Sequence, residues 1–288
     1  MREGSAVLAR AFGICLVVYS FLGGLWLDRH GQRFGLVDVV REWLDRPLGI
    51  GEDFGVLGLM LLLLASGHAV KPGLDVPRLV RIAVPAGVGA VLAGVLPLLG
   101  GEVLVEPLVW VVAIELVLWP VGALAARTPA WLVPLALLLL VGVFLLVGVS
   151  TGFAMPVVLF PLAVLGLVLG DDRLPGWAAV LFGLAVWGLL AWTEAVVPGV
   201  AQWWYPLTAL VAVLVFLVAL RADDTVGTRP AVRWLAGRSR WLLVLTGTLG
   251  WTVLGLGLPF PIGFPLALAA VLVVAELPRL RRTSEVSA

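Results

Sequence analysis

Apolar runs of about 20 residues recur along the whole chain and leave no polar stretch long enough for a soluble domain. Hydrophobic residues make up 61% of the 288 residues and charged residues only 13%, whereas soluble domains are roughly half apolar and a quarter charged. About 20 apolar residues cross a hydrocarbon core roughly 30 Å thick. The sequence therefore predicts an all-α, polytopic membrane helix bundle, with residues 1–288 forming a single domain.

Charged or Pro/Gly-rich breaks divide the apolar runs into about ten predicted transmembrane helices. These cover residues 9–27, 54–70, 82–99, 108–126, 130–149, 156–170, 177–196, 203–220, 241–258 and 262–276. An even number of crossings places both termini on the same side of the membrane.

The basic residues predict which side that is. With ten crossings, fifteen of the nineteen Lys and Arg residues fall on the side of the termini, and the other four share one loop. Short loops rich in Lys and Arg stay cytoplasmic, so both termini are expected in the cytoplasm. The use of eighteen Arg against one Lys, with abundant Ala, Gly, Leu and Val, is typical of a high-GC bacterial gene. We expect a multi-pass protein of a bacterial inner membrane.

Two loops are long enough to carry structure of their own. In the outer loop, residues 28–53, apolar side chains recur at helical spacing and charged ones take the other face, which predicts an amphipathic helix on the bilayer surface. The apolar set is Leu36, Val40, Trp43 and Leu44, and the charged set is Arg41, Glu42, Asp45 and Arg46. This helix could roof the bundle or grip lipid headgroups. The inner loop, residues 221–240, has the composition of a solvated connector.

Composition argues against several functions. The net charge of +1 and the lack of a basic, aromatic-interleaved run give no reason to expect a nucleic-acid partner. Cys15 is the only cysteine, so neither an intrachain disulfide nor a cysteine-rich metal site is expected.

Polar groups at membrane depth are the natural candidates for function, since an ionisable residue there costs roughly 2.5–3.5 kcal/mol on insertion scales. Glu115 lies about two turns into the fourth predicted span. It could pair with Ser, Thr, Trp or backbone groups of a neighbouring helix, or it could line a polar cavity. Glu194 lies near the outer end of the seventh span, where an interfacial position is expected.

A second candidate lies at the cytoplasmic side of the third span. After Ser66-Gly67-His68 at the end of the second span, Arg78 and Arg81 stand three residues apart, on one face of a helix. Guanidinium groups bind phosphate through a fixed fork of donors, so the pair could hold a nucleotide diphosphate or a lipid headgroup. Positive-inside anchoring is the alternative.

Taken together, these segments resemble the acyltransferase 3 family of integral membrane enzymes. The resemblance rests, in order along the chain, on a basic residue opening the first span (Arg10), Ser66-Gly67, the segment Arg78 to Pro85, the run from Trp110 through Glu115 to Trp119-Pro120, and Glu276-Leu277-Pro278. It covers most of the chain. It implies transfer of an acetyl-type acyl group from cytoplasmic acyl-CoA to a hydroxyl of an extracytoplasmic glycan or glycolipid, with acyl-CoA as co-substrate and no covalently bound cofactor.

The resemblance also implies residue roles. Arg78 and Arg81, with Arg10 nearby, would meet the phosphates of the coenzyme. A His eleven residues after the first basic residue would act as general base on the acceptor hydroxyl.

The chain departs from the family where this base is expected, because eleven residues after Arg10 stands Phe21. The two histidines lie elsewhere, His30 in the outer loop and His68 at the cytoplasmic end of the second span, and Ser-Gly-Phe is altered to Ser66-Gly67-His68. No catalytic residue is therefore assigned.

Two interpretations remain open. One is an O-acyltransferase with a relocated base, such as Glu115 or His30. The other is an inactive relative that binds lipid or acyl-CoA, moves a substrate or supports a partner protein. An unrelated ion-coupled transporter would need more ionisable residues within the spans than Glu115 and Glu194.

Overall fold

The computed structural model describes residues 3–45, 52–70, 76–151, 154–196, 204–222 and 224–286, and these form helices and turns with no strand. The main helices, in chain order, are α1 (Glu3–Tyr19), α2 (Leu25–Arg29), α3 (Gly35–Val40), α4 (Gly55–His68), α5 (Val76–Val95), α6 (Glu106–Arg127), α7 (Val133–Thr151), α8 (Ala154–Gly170), α9 (Gly176–Val196), α10 (Trp204–Arg221), α11 (Asp224–Gly227), α12 (Pro230–Leu245), α13 (Trp251–Leu254) and α14 (Phe260–Val286). The prediction of an all-α protein is confirmed.

The helices are those of a membrane protein. Five of them are long and apolar enough to cross a bilayer: Ala6–Arg29, Val80–Leu99, Glu106–Arg127, Ala130–Thr151 and Gly176–Thr193. Shorter apolar helices cover Gly55–His68, Leu159–Gly170, Pro206–Arg221 and Phe260–Glu276. Each of the ten predicted spans overlaps a helix, while the number of crossings and the side of the termini stay predictions.

The surface of the bundle is apolar where lipid would lie. On α7, Leu135, Leu139 and Leu146 are 64–69% exposed, on one side of the helix. Helix α7 has no charged residue, and its exposed face is formed by leucine side chains. Such a face is suited to contact with lipid hydrocarbon rather than with water.

Helix α4 forms the centre of the bundle. Every residue from Gly55 to Gly67 is buried, and the helix packs between α1 and α8. Glycines allow the close contact with α8: a Cβ on Gly67 would clash with the carbonyl of Ala163, and one on Gly166 with the carbonyl of Leu64. Close packing through small residues is the usual way in which membrane helices associate.

Two π-helical turns interrupt the bundle and contact each other. Ser20–Gly24 joins α1 to α2, and Thr246–Gly250 joins α12 to α13. The indole Nε1–H of Trp251 donates to the carbonyl of Phe21 at 3.1 Å. A π turn leaves carbonyl groups outside the regular helical pattern, and here one of them finds a side-chain donor.

The inner loop, predicted as a solvated connector over residues 221–240, is corrected by the structure. Helix α12 already begins at Pro230, and α11 covers Asp224–Gly227. Ala236 and Ser239 are buried against the rest of the bundle. Packing of this face provides the stabilisation that the polar composition of the segment does not suggest.

The outer loop contains the helix predicted there. Gly35–Val40 is α-helical and continues as a π turn over Arg41–Asp45. Val37 is buried, whereas Leu36 and Trp43 are 69% and 74% exposed. The apolar face therefore points away from the bundle, which favours contact with headgroups over a roof.

Candidate functional site

A buried carboxylate surrounded by cationic side chains forms the most distinctive polar site of the described residues. Glu115 lies in the middle of α6, and its side chain is 5% exposed. Arg240 binds it through two contacts, Nε to Oε2 at 2.6 Å and Nη2 to Oε1 at 3.2 Å. Such two-point contacts are among the stronger and more directional ion pairs in proteins.

Two further side chains complete this site. Ser66 Oγ donates to Glu115 Oε1 at 2.5 Å, and Arg10 Nη2 lies 3.1 Å from both Ser66 Oγ and Glu115 Oε1. We call these four residues, Arg10, Ser66, Glu115 and Arg240, the buried ion cluster. They come from four helices, α1, α4, α6 and α12, so the cluster ties together distant parts of the chain.

The buried ion cluster lies well inside the bundle, away from the end at which α6 finishes. Glu115 lies twelve residues before the end of α6, roughly 18 Å along the helix axis. At that end Arg173 donates to the carbonyls of Ala125 and Ala126 at 3.0 and 3.2 Å, in the last turn of α6. We call the end at which α1 and α12 begin and α6 ends the basic end.

A second polar cluster lies between α12 and α14. Arg238 Nη2 contacts Glu276 Oε2 at 2.7 Å, and the indole Nε1–H of Trp234 donates to Glu276 Oε1. The Arg238 guanidinium also lies 5.1 Å from the centre of the Trp234 ring. This cluster joins the last helix to α12 and includes Glu276 of the predicted C-terminal motif.

The structure brings Arg10, Ser66 and Glu115 together, although the sequence interpretation assigned Arg10 to a coenzyme. The sequence left open whether Glu115 pairs with polar groups of a neighbouring helix or lines a cavity. Ser66 does pair with it, but its main partners are Arg10 and Arg240. Arg240 was missed, because it was counted only as a positive-inside residue of a loop. Its position just before the apolar run 241–258, together with the need of a buried carboxylate for a cation, was the signal that could have identified it.

The remaining predicted residues have different outcomes. Arg81 lies on α5 with an exposed side chain, directly before the buried Ile82. Arg78 belongs to the same helix and Glu194 to α9, but the side chains of both lie outside the described residues.

A small cavity adjoins the buried ion cluster. Its volume is about 10 Å³, at the lower limit for a single water molecule. Its walls are Ser66, Val70, Ile82, Glu115, Leu118, Trp119 and Arg240. The indole nitrogen of Trp119 is buried and has no hydrogen-bond partner among the described residues.

The expected base position carries no group that accepts a proton, and the alternative histidine is held by neighbouring oxygen atoms. Phe21 is 3% exposed and packs in the apolar core. His30 folds back onto Trp26, where Nδ1 lies 2.9 Å from the Trp26 carbonyl and Nε2 lies 3.1 Å from Glu102 Oε2. Both ring nitrogens therefore face oxygen acceptors.

Opposite the basic end, a buried ion pair fixes the outer loop. Arg41, predicted on the charged face of the outer-loop helix, reaches inward and binds Asp53 through Nε and Nη2, each at 2.6 Å. Its Nη2 also donates to the carbonyl of Gly24 at 2.9 Å. The hydrogen bond to Asp53 raises the pKa of Arg41, so Arg41 stays charged at any physiological pH.

Within the described residues, no group of three or more His, Cys, Asp or Glu side chains could hold a metal ion. Comparison of the chain with protein-family models, with curated proteins and with solved structures finds no match.

Proposed function

We propose that this protein is an integral membrane O-acyltransferase that takes its acyl group from acyl-CoA at the basic end. The observation that carries the proposal is the convergence of Arg10, Ser66 and Glu115 on one buried point. These residues come from three separate segments of the resemblance to the acyltransferase 3 family. Apolar segments alone resemble those of many membrane-protein families. Such a general resemblance does not explain why three polar residues of the motifs lie in contact.

The basic end is also where a polyanionic coenzyme would be held. Arg81 is exposed next to Ile82, which lines the cavity at the buried ion cluster. Arg78 precedes Arg81 by about one turn of the same helix. In this proposal the two guanidinium groups bind the phosphates of the coenzyme, while Arg10 and Arg240 hold Glu115 in place.

The proposal requires that the basic end faces the cytoplasm, as the positive-inside rule predicts. Single cysteines test this in a Cys15→Ala background, with Gln32→Cys in the outer loop and Arg229→Cys at the basic end, both exposed positions. A membrane-impermeant maleimide should label Gln32→Cys in intact cells and Arg229→Cys only after permeabilisation. The reverse pattern contradicts the orientation.

In the proposed reaction the acceptor hydroxyl attacks the thioester carbonyl. The acyl C–O bond forms, the C–S bond breaks, and the hydroxyl proton passes through a base to the departing thiolate of the coenzyme. Glu115 is a poor base, because four hydrogen bonds already stabilise its charged form. Activity therefore depends on a base supplied by rearrangement, for which His30 is the candidate, or by the acceptor itself.

A non-catalytic relative that binds acyl-CoA or lipid is the second candidate. The buried Phe21 at the family's base position favours it, since a phenyl ring accepts no proton. Coenzyme binding could persist in such a protein after transfer was lost.

Acyl transfer separates the two candidates. Membranes that contain the protein should transfer label from acetyl-CoA to an extracytoplasmic glycan or glycolipid, and the double variant Arg78→Ala/Arg81→Ala should abolish transfer. Arg229→Ala/Arg233→Ala, at exposed positions of the basic end, serves as the matched control. Absence of transfer by the wild type, with activity in Phe21→His, identifies a decayed enzyme.

A further inference from the structure

An apolar groove with a volume of about 200 Å³ lies between α1, α12 and α14. We call it the lateral groove. Its floor contains the buried side chains of Ile14, Leu242 and Val271. Cys15, which also lines it, is exposed, so the groove opens on the outside of the bundle, where lipid would lie.

The lateral groove is long, narrow and almost free of polar groups. Its lining residues cover 264–272 on α14 and 235–242 on α12, about 12 and 10 Å along the two helix axes. Its volume is below the roughly 300–1,000 Å³ of sites for drug-sized ligands. Among the described residues that line it, only Cys15 and Tyr19 have a side-chain atom other than carbon and hydrogen. A single hydrocarbon chain fits this shape and gains dispersion contacts that an empty groove loses.

Contacts between α12 and α14 show towards which end the groove runs. Glu276, about one turn after Leu272, contacts Arg238 and Trp234 in the first half of α12. Since α12 begins at the basic end, α14 approaches that end as the chain proceeds. Tryptophan is enriched at the membrane–water interface, so Trp234 indicates that headgroups lie near the level of Glu276. The lateral groove therefore lies in the leaflet at the basic end.

The length of the groove agrees with the thickness of that leaflet. Its 12 Å along α14 fit within half of a hydrocarbon core roughly 30 Å thick. Arg279 lies fifteen residues after Phe264 in α14, about 22 Å along the axis, and half of a bilayer with its headgroups measures roughly 20–23 Å. With Phe264 at the midplane, Arg279 is at the level of the lipid phosphates.

Positive charge accumulates where α14 reaches that level. Glu276 is already paired with Arg238, whose Nη2 lies 2.7 Å from its Oε2. Against one further acidic residue, Glu285, the rest of α14 contains three basic residues, Arg279, Arg281 and Arg282. Basic clusters directly beside a membrane helix attract the headgroups of anionic lipids.

Two of these arginines continue the face of α14 that lines the groove. Arg279 follows Leu272 by seven residues, and Arg282 follows Val271 by eleven. Both spacings return to the same side of an α-helix. The apolar groove and the basic positions thus form one line along α14, in the order in which a phospholipid has its acyl chain and its phosphate.

We propose that the lateral groove binds one acyl chain of an anionic phospholipid from the leaflet at the basic end, and that Arg279 and Arg282 bind its phosphate. The bound lipid joins the first helix of the chain to the last. This inference goes beyond the proposed function and holds whether or not the protein transfers an acyl group.

Native mass spectrometry of the purified full-length protein in detergent tests the proposal. The probes are dioleoyl phosphatidylglycerol and dioleoyl phosphatidylcholine in equal amounts, which have the same chains and differ in headgroup charge. The wild type should retain one phosphatidylglycerol with at least tenfold preference, since each arginine near an anionic surface contributes about fivefold.

One variant addresses the acyl chain. Cys15→Trp places an indole in the groove from an exposed position and should lower the retained phosphatidylglycerol at least fivefold. Leu266→Trp is the matched control, because Leu266 is 46% exposed and stands two residues from both Phe264 and Leu268, on the other side of α14. This control should retain lipid as the wild type does.

A second variant addresses the headgroup. Arg279→Gln/Arg282→Gln leaves the groove intact and should reduce the preference for phosphatidylglycerol over phosphatidylcholine at least tenfold. Arg229→Gln/Arg233→Gln removes the same charge at exposed positions of the basic end that do not line the groove, and should keep the wild-type preference.

The same spectra decide between the occupants of the groove. Loss of lipid in Cys15→Trp alone, with loss of headgroup preference in Arg279→Gln/Arg282→Gln alone, supports the phospholipid site. Equal retention by Cys15→Trp and Leu266→Trp, or equal preference in the two arginine variants, overturns it. A dimer of the wild type that dissociates in Cys15→Trp, with retained lipid unchanged, assigns the groove to a second copy of the chain instead.

Discussion

Arg240 and Glu115 are 125 positions apart in the chain, yet their Nε and Oε2 atoms lie 2.6 Å apart inside the bundle. This contact joins the second half of α12 to the middle of α6. Arg10 and Ser66 extend it to α1 and α4, so one carboxylate connects four helices. A buried pair of this kind contributes little net stability while intact, but it is costly to break from one side.

Glu115→Gln is predicted to destabilise the protein strongly. The substitution keeps the shape of the side chain but removes the negative charge that Arg240 and Arg10 contact, and breaking a buried pair from one side costs about 3–5 kcal/mol. The apparent Tm in detergent measures the effect. Glu106→Gln, at the exposed start of the same helix, is the matched control. Equal melting temperatures for the two variants would show that the cluster does not hold the helices together.

Gly24→Ala is predicted to loosen the outer loop. A Cβ at this position would clash with the carboxylate of Asp53, which Arg41 holds in place. The expected cost of such overpacking is about 1–3 kcal/mol. Gly35→Ala is the control, since a Cβ there meets no atom within 4 Å. Faster proteolysis within the outer loop of Gly24→Ala, compared with Gly35→Ala, would confirm the role of the ion pair.

The loop after α8 is predicted to contribute acid sensitivity. The hydrogen bond from Arg173 lowers the pKa of Asp171 below its ordinary value of 3.8. The unfolded chain therefore binds a proton at higher pH than the folded one, so stabilisation is complete above about pH 4 and is lost as the pH falls through the lowered pKa. In an apparent Tm series from pH 6 to 3, Asp171→Asn should show a shallower decline than the wild type. The exposed Asp172→Asn should keep the wild-type slope, and an unchanged slope in both variants would exclude this contribution.

Much of the fold follows from local sequence patterns. Apolar runs predicted helices where the structure has them, because each helix satisfies its own backbone hydrogen bonds in lipid. The boundaries of α12 could not be predicted in the same way. Its first turns are polar, and they are helical because Ala236 and Ser239 pack against other helices, which is tertiary information.

The site was predictable only in part. Glu115 stood out because a lone carboxylate inside a span needs an explanation. Its partner Arg240 did not, because pairing over 125 positions leaves no periodicity to read. The two π turns depend on how helices meet, and they have no sequence signal of their own.

The most direct test of the account is whether the purified wild-type protein binds acetyl-CoA. Isothermal titration in nanodiscs should show saturable binding that competes with free coenzyme A and is lost in Arg78→Ala/Arg81→Ala, while Arg229→Ala/Arg233→Ala binds as the wild type does. Absence of binding by a folded wild-type protein at millimolar acetyl-CoA would contradict the proposed function. Binding equal in all three proteins would contradict the assignment of the phosphates to Arg78 and Arg81.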